Sequence, residues 1–188
     1  MLEIKNVSKT FNKGTINEKK ALCKLSLQLN PEDFVTIIGG NGAGKSTMLN
    51  MIAGVYPIDC GKIILNGNDI SLQPEYARAK YLGRVFQDPM KGTAAGMEIE
   101  ENLALAYRRG KRRGLGWGIK KEEKQQYKEA LKTLGLGLED RMTSKVGLLS
   151  GGQRQALTLL MASLKKPELL LLDEHTAALD PKTAAKVL

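Results

Sequence analysis

At 188 residues, with 42% hydrophobic and 26% charged content, the chain has the make-up of one globular domain large enough to bury a substantial core. No apolar run approaches the roughly 18–20 residues needed to span a bilayer, and the stretch Met1 to Lys5 lacks the apolar core of a signal peptide. Cys23 and Cys60 show neither metal nor redox spacing and read as reduced thiols of a cytoplasmic protein. The net charge of +9 is unevenly spread: Tyr107 to Lys128 holds nine Lys or Arg against two Glu, dominated by Arg108 to Arg113. Such a cluster either attracts anionic lipid or nucleic acid or forms a solvated loop and helix face. Trp117, just after it, is either an interfacial anchor or packed against the neighbouring helix.

In chain order, Leu2, Ile4 and, less regularly, Val7 predict a first strand. Leu25, Leu27 and Leu29 alternate with Ser26 and Gln28, the pattern of a half-buried strand. Phe34, Val35, Ile37 and Ile38 form a nearly continuous apolar run, which predicts a parallel strand buried on both faces. Met48, Leu49, Met51, Ile52 and Ala53 recur at helical spacing, with Gly54 as the stop. Ile63 to Leu65 precede Asn66-Gly67, a tight-turn signal. Leu82 to Phe86 is another short strand. Glu98–Tyr107 and Lys120–Leu134 read as helices, and so does the segment after Ser150, with Ala156, Leu157, Leu160, Met161 and Leu164 as its apolar stripe. Glu168 to Leu172 returns to a strand. The class is α/β, with a helical insertion.

Three segments carry chemistry. Gly39-Gly40-Asn41-Gly42-Ala43-Gly44-Lys45-Ser46-Thr47 fits the phosphate-loop pattern in full. Between a strand and a helix start, its glycines can turn their amides inward as an anion nest at the positive end of a helix dipole. Lys45 would reach the β- and γ-phosphates, and Ser46 would offer its hydroxyl to Mg2+. A chance match in a chain of this length is on the order of one per cent, so nucleoside triphosphate binding is the reading, and the loop alone leaves the kind of nucleotide protein open. Second, the Leu169–Leu172 run delivers Asp173 and Glu174 at a strand's carboxyl end, where open parallel sheets bind ligands. Side chains alternate along a strand, so the two take different roles. Asp173 suits magnesium, and Glu174 suits polarising a water aimed at the γ-phosphorus. Third, Leu149-Ser150-Gly151-Gly152-Gln153 is an N-cap serine followed by two glycines, a second anion-binding helix terminus.

Here the residues reach a family. Leu149–Gln153 resembles the signature motif of ABC ATPases, and Gly39–Thr47 and Leu169–Glu174 resemble their Walker A and Walker B motifs. Gln87 looks like the Q-loop glutamine, and Ala178-Leu179-Asp180 looks like the D-loop. The motifs stand in the family's order and cover nearly the whole chain. The resemblance implies a P-loop NTPase core with a mixed sheet, an N-terminal antiparallel β region and a helical ABC-type subdomain. The core would be residues 1–89 and 166–188, and the signature subdomain residues 90–165. It implies ATP and Mg2+ as ligands and a head-to-tail dimer. Each ATP would lie between one subunit's Gly39–Thr47 and its partner's Ser150, Gly151, Gly152 and Gln153. Gln87 would contact magnesium and the attacking water, Asp180 would belong to the nucleotide interface, and Glu174 would be catalytic. Phe11 falls where family members often place an adenine-stacking aromatic, against the plainer reading of a core or loop phenylalanine.

Two departures matter. His175 stands where the family usually has proline after the Walker B glutamate, and it reads as a structural or solvated residue. The family's switch histidine belongs on a later strand beyond Asp180, so the chain is expected to be C-terminally truncated, weak in ATP binding and slow in hydrolysis. The resemblance implies an ATPase subunit of a membrane transporter, peripheral on the inner face of the membrane, docked on separate permease subunits. The small-residue stretch Met90 to Glu101 is a candidate groove for a coupling helix. Import is favoured over export because separate subunits are common among importers. Details such as the Asp173–Pro181 run look like ATPases of amino-acid uptake systems, and a solute-binding protein of the same system is a further candidate partner. The alternative is a non-transport member acting on nucleic acid or ribosomes. Only one set of motifs and no sustained heptads count against it, so nucleic acid is not the expected partner.

Overall fold

Leu2, Ile4 and Val7 sit on strand β1 (Leu2–Phe11), all three essentially buried. Their spacing breaks strict alternation because the strand bulges there: its register against both neighbours slips after Ile4 or Lys5, and Asn6 takes a left-handed φ of 50°. An extra residue in one strand returns Val7 to the core face that Ile4 occupies. The computed structural model describes residues 1–88, 90–111 and 118–173. The chain forms two compact units, Met1–Ala79 and Lys80 onward.

In the first unit, β1 is the centre of an antiparallel sheet of order β2-β1-β3-β4. Strand β2 (Lys19–Leu29) pairs along its length, from Leu2↔Leu29 to Phe11↔Lys19, and shows the predicted alternation of half-buried Leu25, Leu27 and Leu29. Strands β3 (Cys60–Leu65) and β4 (Asn68–Asp69) form a hairpin through Asn66 and Gly67, with φ of 48° and 78°. Two successive positive φ values are what a two-residue type I′ turn demands. Helix α1 (Lys45–Ala53) buries Met48, Leu49, Met51, Ile52 and Ala53 and ends at Gly54, whose φ of 86° makes a left-handed cap. A single-turn helix, α2 (Glu75–Arg78), closes the unit.

One sequence expectation fails here. Residues 34–38 form no strand, and Phe34 and Ile38 are 85% and 92% exposed. The apolar run supplies β propensity, but a strand also needs a backbone neighbour. Among the described residues nothing pairs with this segment.

In the second unit, β5 (Leu82–Val85) and β6 (Leu169–Leu172) form a parallel ladder with Leu82↔Leu169 and Val85↔Leu172 in register. β6 is a strand as expected, and of its four leucines Leu171 is fully buried while Leu170 is 37% exposed. It has β5 on one edge and no second neighbour among the described residues. Helices α3 (Ile99–Tyr107), α4 (Lys121–Lys132) and α5 (Gly151–Ser163) enclose a core of Ile99, Leu103, Tyr127, Leu131, Ala156 and Leu157. Gly83 lets α5 approach β5, since a Cβ there would stand 2.8 Å from the Ala162 carbonyl oxygen. No described helix is long and apolar enough to cross a membrane.

Candidate nucleotide site

The phosphate-loop sequence makes a backbone that only its glycines permit. Gly42 and Gly44 have φ of 82° and 92°, and a Cβ on Gly44 would lie 2.7 Å from the Ala21 carbonyl oxygen and 2.9 Å from a Leu22 methyl. The Ala43 amide donates to the Gly40 carbonyl at 3.2 Å, which closes the turn over Asn41. Gly44 is the N-cap of α1 and offers no side-chain cap, so the first-turn amides, including those of Lys45, Ser46 and Thr47, have no side-chain acceptor from the cap. Ser46 is exposed on that turn. Lys45 curls over the loop, its Nζ donating to the Gly39 carbonyl at 2.5 Å and to the Gly40 carbonyl at 3.1 Å. Free amides, a helix terminus and an ammonium in one loop are the features that bind a phosphate chain. Lys19 adds a cation: its Nζ lies 3.9 Å from where a Gly42 Cβ would be.

The other end of α1 is locked. The buried Arg78 guanidinium donates from Nη1 to the Met51 and Ile52 carbonyls, from Nε to Gln73 and from Nη2 to Ser71, all at 2.7–2.9 Å. These carbonyls include ones that the helix end leaves without internal partners. Burial pulls the Arg78 pKa down, and Asp69 opposes that shift.

Phe11 ends β1, cross-strand from Lys19. Its ring meets Tyr56 in a perpendicular pair at 5.3 Å between centroids, and the Lys9 ammonium stands 5.6 Å from its centroid. The first unit therefore holds Phe11 one strand-pair from a lysine that reaches the phosphate loop.

In the second unit, Ser150 caps α5. The Gln153 amide donates to its Oγ at 3.3 Å, and the Ser150 amide donates to Gln153 Oε1 at 3.1 Å. This reciprocal capping box leaves Gly151 exposed and Gly152 half-buried at the helix start. Arg154 fixes the approach to that terminus: its Nη2 donates to the carbonyls of Val146, Gly147 and Leu149 at 3.1–3.3 Å. Asp173 follows β6 directly and Gln87 stands two residues after β5, so the parallel ladder brings both to its carboxyl end. The Asp173 amide donates to Val85 at 3.1 Å. Glu174, His175 and Asp180 lie outside the described residues, as do Arg112, Arg113 and Trp117.

Among the described residues no three His, Cys, Asp or Glu side chains cluster to hold a metal. The sequence-assigned donors Ser46, Gln87 and Asp173 are oxygen-only and few. That suits magnesium, which keeps waters and phosphate oxygens in its shell, better than a metal needing a full protein cage.

The described part of the basic run is engaged internally. Arg108 pairs with Glu123 at 2.8 Å, and Arg109 donates to the Ala162 and Lys165 carbonyls at the end of α5. Lys111 stands 4.1 Å from the Tyr107 ring centroid. Sequence reasoning missed Arg78, Arg154, Tyr56 and Asp59, which belong to no motif. The only sequence signal is that Arg154 directly follows Gln153.

The chain is similar to known proteins in sequence and in fold. A family model described as ABC transporter matches residues 22–177. A tyrosine transport ATP-binding protein of Clostridioides difficile is 44% identical over 188 residues, which is all of this chain and 74% of that protein. A spermidine/putrescine import ATP-binding protein of Pasteurella multocida is 36% identical over 183 residues, covering 97% of this chain and 45% of its own length. Among solved structures, the dimeric post-hydrolysis state of an ATP-binding cassette bound to ADP and Pi superposes with a TM-score of 0.83 at 31% identity. That match covers all of this chain and 79% of the other.

Proposed function

Because the chain belongs to the ABC transporter family as an ATP-binding cassette ATPase, we propose that it powers a membrane importer of small solutes through ATP-driven head-to-tail pairing. The observation that carries this reading is the presence of two anion-binding helix starts in two separate units. One is the glycine-led α1 with Lys45, and the other is the Ser150-capped α5. One triphosphate needs only one such cradle in each subunit. Two copies facing each other use both, each ATP lying between Gly39–Thr47 of one and Ser150–Gln153 of the other.

In this reading Lys45 and the loop amides hold the β- and γ-phosphates. Ser46, Gln87 and Asp173 would hold magnesium, which when bound neutralises phosphate charge. Glu174 orients and deprotonates the attacking water, with Gln87 beside it, and Asp180 completes the interface. Phe11 stacks on adenine. Residues 90–165 form the signature subdomain on the core of 1–89 and 166–188, and Met90 to Glu101 receives a permease on the inner face of the membrane. The tyrosine-transport relative supports an amino acid as the solute, with a solute-binding protein delivering it.

The full-length protein, purified from membranes with its native partners, tests this. Co-purification with a polytopic permease, and transport lost in Lys45→Ala together with ATP binding, are the expected results. Salt-sensitive binding of RNA or DNA at physiological ionic strength, with no permease retained, would overturn it in favour of the nucleic-acid alternative.

A further inference from the structure

We propose that the turn after α1, carrying Tyr56 and Asp59, is a positioning device for the base-binding ring of Phe11. The helix that begins at the phosphate loop would thereby also set the base subsite. This rests on the reading of Phe11 as the adenine-stacking residue. Phe11 is the last residue of β1, where a strand would fray without support. Support comes from one short segment. Tyr56 meets the Phe11 ring in the perpendicular pair. Asp59 Oδ2 accepts the Thr10 amide at 2.6 Å, its Oδ1 accepts Lys9 Nζ at 3.2 Å, and its own amide donates to the Ser8 carbonyl at 3.0 Å. The three residues before Phe11 are therefore all tied to Asp59, and the ring itself is tied to Tyr56.

The turn is in its place because α1 ends in a left-handed glycine. After Gly54, the Val55 and Tyr56 amides both donate to the Asn50 carbonyl, at 2.9 and 3.3 Å. Tyr56 is thus fixed to the last turn of the helix whose first residue is Lys45, a rigid spacer of roughly 13 Å. From the other side, Lys19 pairs with Phe11 across the sheet and reaches toward Gly42. Two separate routes fix the ring relative to the phosphate loop, so the subsite is organised in advance of the nucleotide.

A positioning role makes a prediction that a general loss of stability does not. Tyr56→Ala in the full-length protein should weaken ATP about 3- to 10-fold, the range an aromatic pair's contribution implies. Its affinity for inorganic tripolyphosphate, which has no base, should be unchanged. Tyr56→Phe should restore ATP affinity, because the contact needs the ring and not the hydroxyl. Tyr56→Leu, which keeps apolar bulk without a ring, should repeat the ATP-selective loss, and it carries the test if the alanine variant folds poorly. Equal losses for both ligands, or no loss of ATP affinity in Tyr56→Leu while Phe11→Ala shows one, would overturn the inference and leave the Phe11 reading standing. If Phe11→Ala itself fails to separate ATP from tripolyphosphate, the underlying reading falls instead.

Discussion

The Arg78 Nη1 donates to the Met51 carbonyl at 2.7 Å, which ties a fully buried guanidinium to the end of the helix that starts at Lys45. Bonds to a charged donor contribute about 1.5–3 kcal/mol each, and without Arg78 the Met51 carbonyl would keep only the Gly54 amide while the buried Ile52 contact would be lost outright. Arg78→Ala should therefore destabilise the protein by roughly 3 kcal/mol or more, read by chemical denaturation. Arg78→Lys should recover little, because one ammonium cannot reproduce the forked contacts to four carbonyls.

The glycines of the phosphate loop are not equivalent. Gly44→Ala places a Cβ against Ala21 and Leu22 at a φ of 92° and should lose ATP binding along with about 1–3 kcal/mol of stability. Gly40→Ala meets nothing within 4 Å and should leave the melting temperature nearly unchanged. Thermal melts of the two variants, with ATP titrations, separate these outcomes.

Tyr127 is fully buried in the helical unit, and its hydroxyl has no partner among the described residues. Burial, with Glu123 nearby, pushes its pKa up to about 12. Tyr127→Phe should be neutral or slightly stabilising, since it removes an unsatisfied polar atom, whereas Tyr127→Ala should cost about 3–5 kcal/mol. The raised pKa also has a sign. The folded state keeps the proton that the unfolded chain releases near 10, so this contribution is lost as pH climbs from 10 toward 12. Tyr127→Phe should remove that part of the alkaline loss.

Asp59 acts at the other end of the pH scale. Burial raises its pKa, but the Thr10 amide and the Lys9 ammonium outweigh this and hold it below the ordinary 3.8. A depressed carboxyl pKa stabilises the fold above about 3.8 and loses that contribution as pH falls through the lower folded value. Asp59→Asn should be less stable than the parent at neutral pH, and the gap should narrow in acid. Denaturation midpoints measured at pH 7 and near pH 3 check this.

Local chemistry in this chain was legible wherever a short segment decides it. Ser150 caps its helix as its position suggests, and Gly54 and Asn66-Gly67 take the left-handed φ values their positions call for. Phe34 to Ile38 show the limit: strand-like side chains do not make a strand without a neighbour to pair with, and pairing is a property of the fold. At the site, the motif residues announced themselves through glycine spacing and adjacent carboxylates. Arg78 and Arg154 did not, because each acts by reaching main-chain carbonyls, which leave no trace in residue identity, and Asp59 did not, because its partners Thr10 and Lys9 lie some fifty residues away in the chain.

If two copies pair head to tail, the Lys45 loop of one and the Ser150 terminus of the other are two halves of one ATP site. Light scattering of full-length Glu174→Gln, a variant expected to slow hydrolysis roughly 10²–10⁴-fold, reads this pairing. With Mg-ATP the protein should become a dimer, and a further Ser150→Arg change should leave it monomeric while ATP still binds at Lys45. A protein that stays monomeric at saturating ATP, or a dimer indifferent to Ser150→Arg, would rule out a shared site.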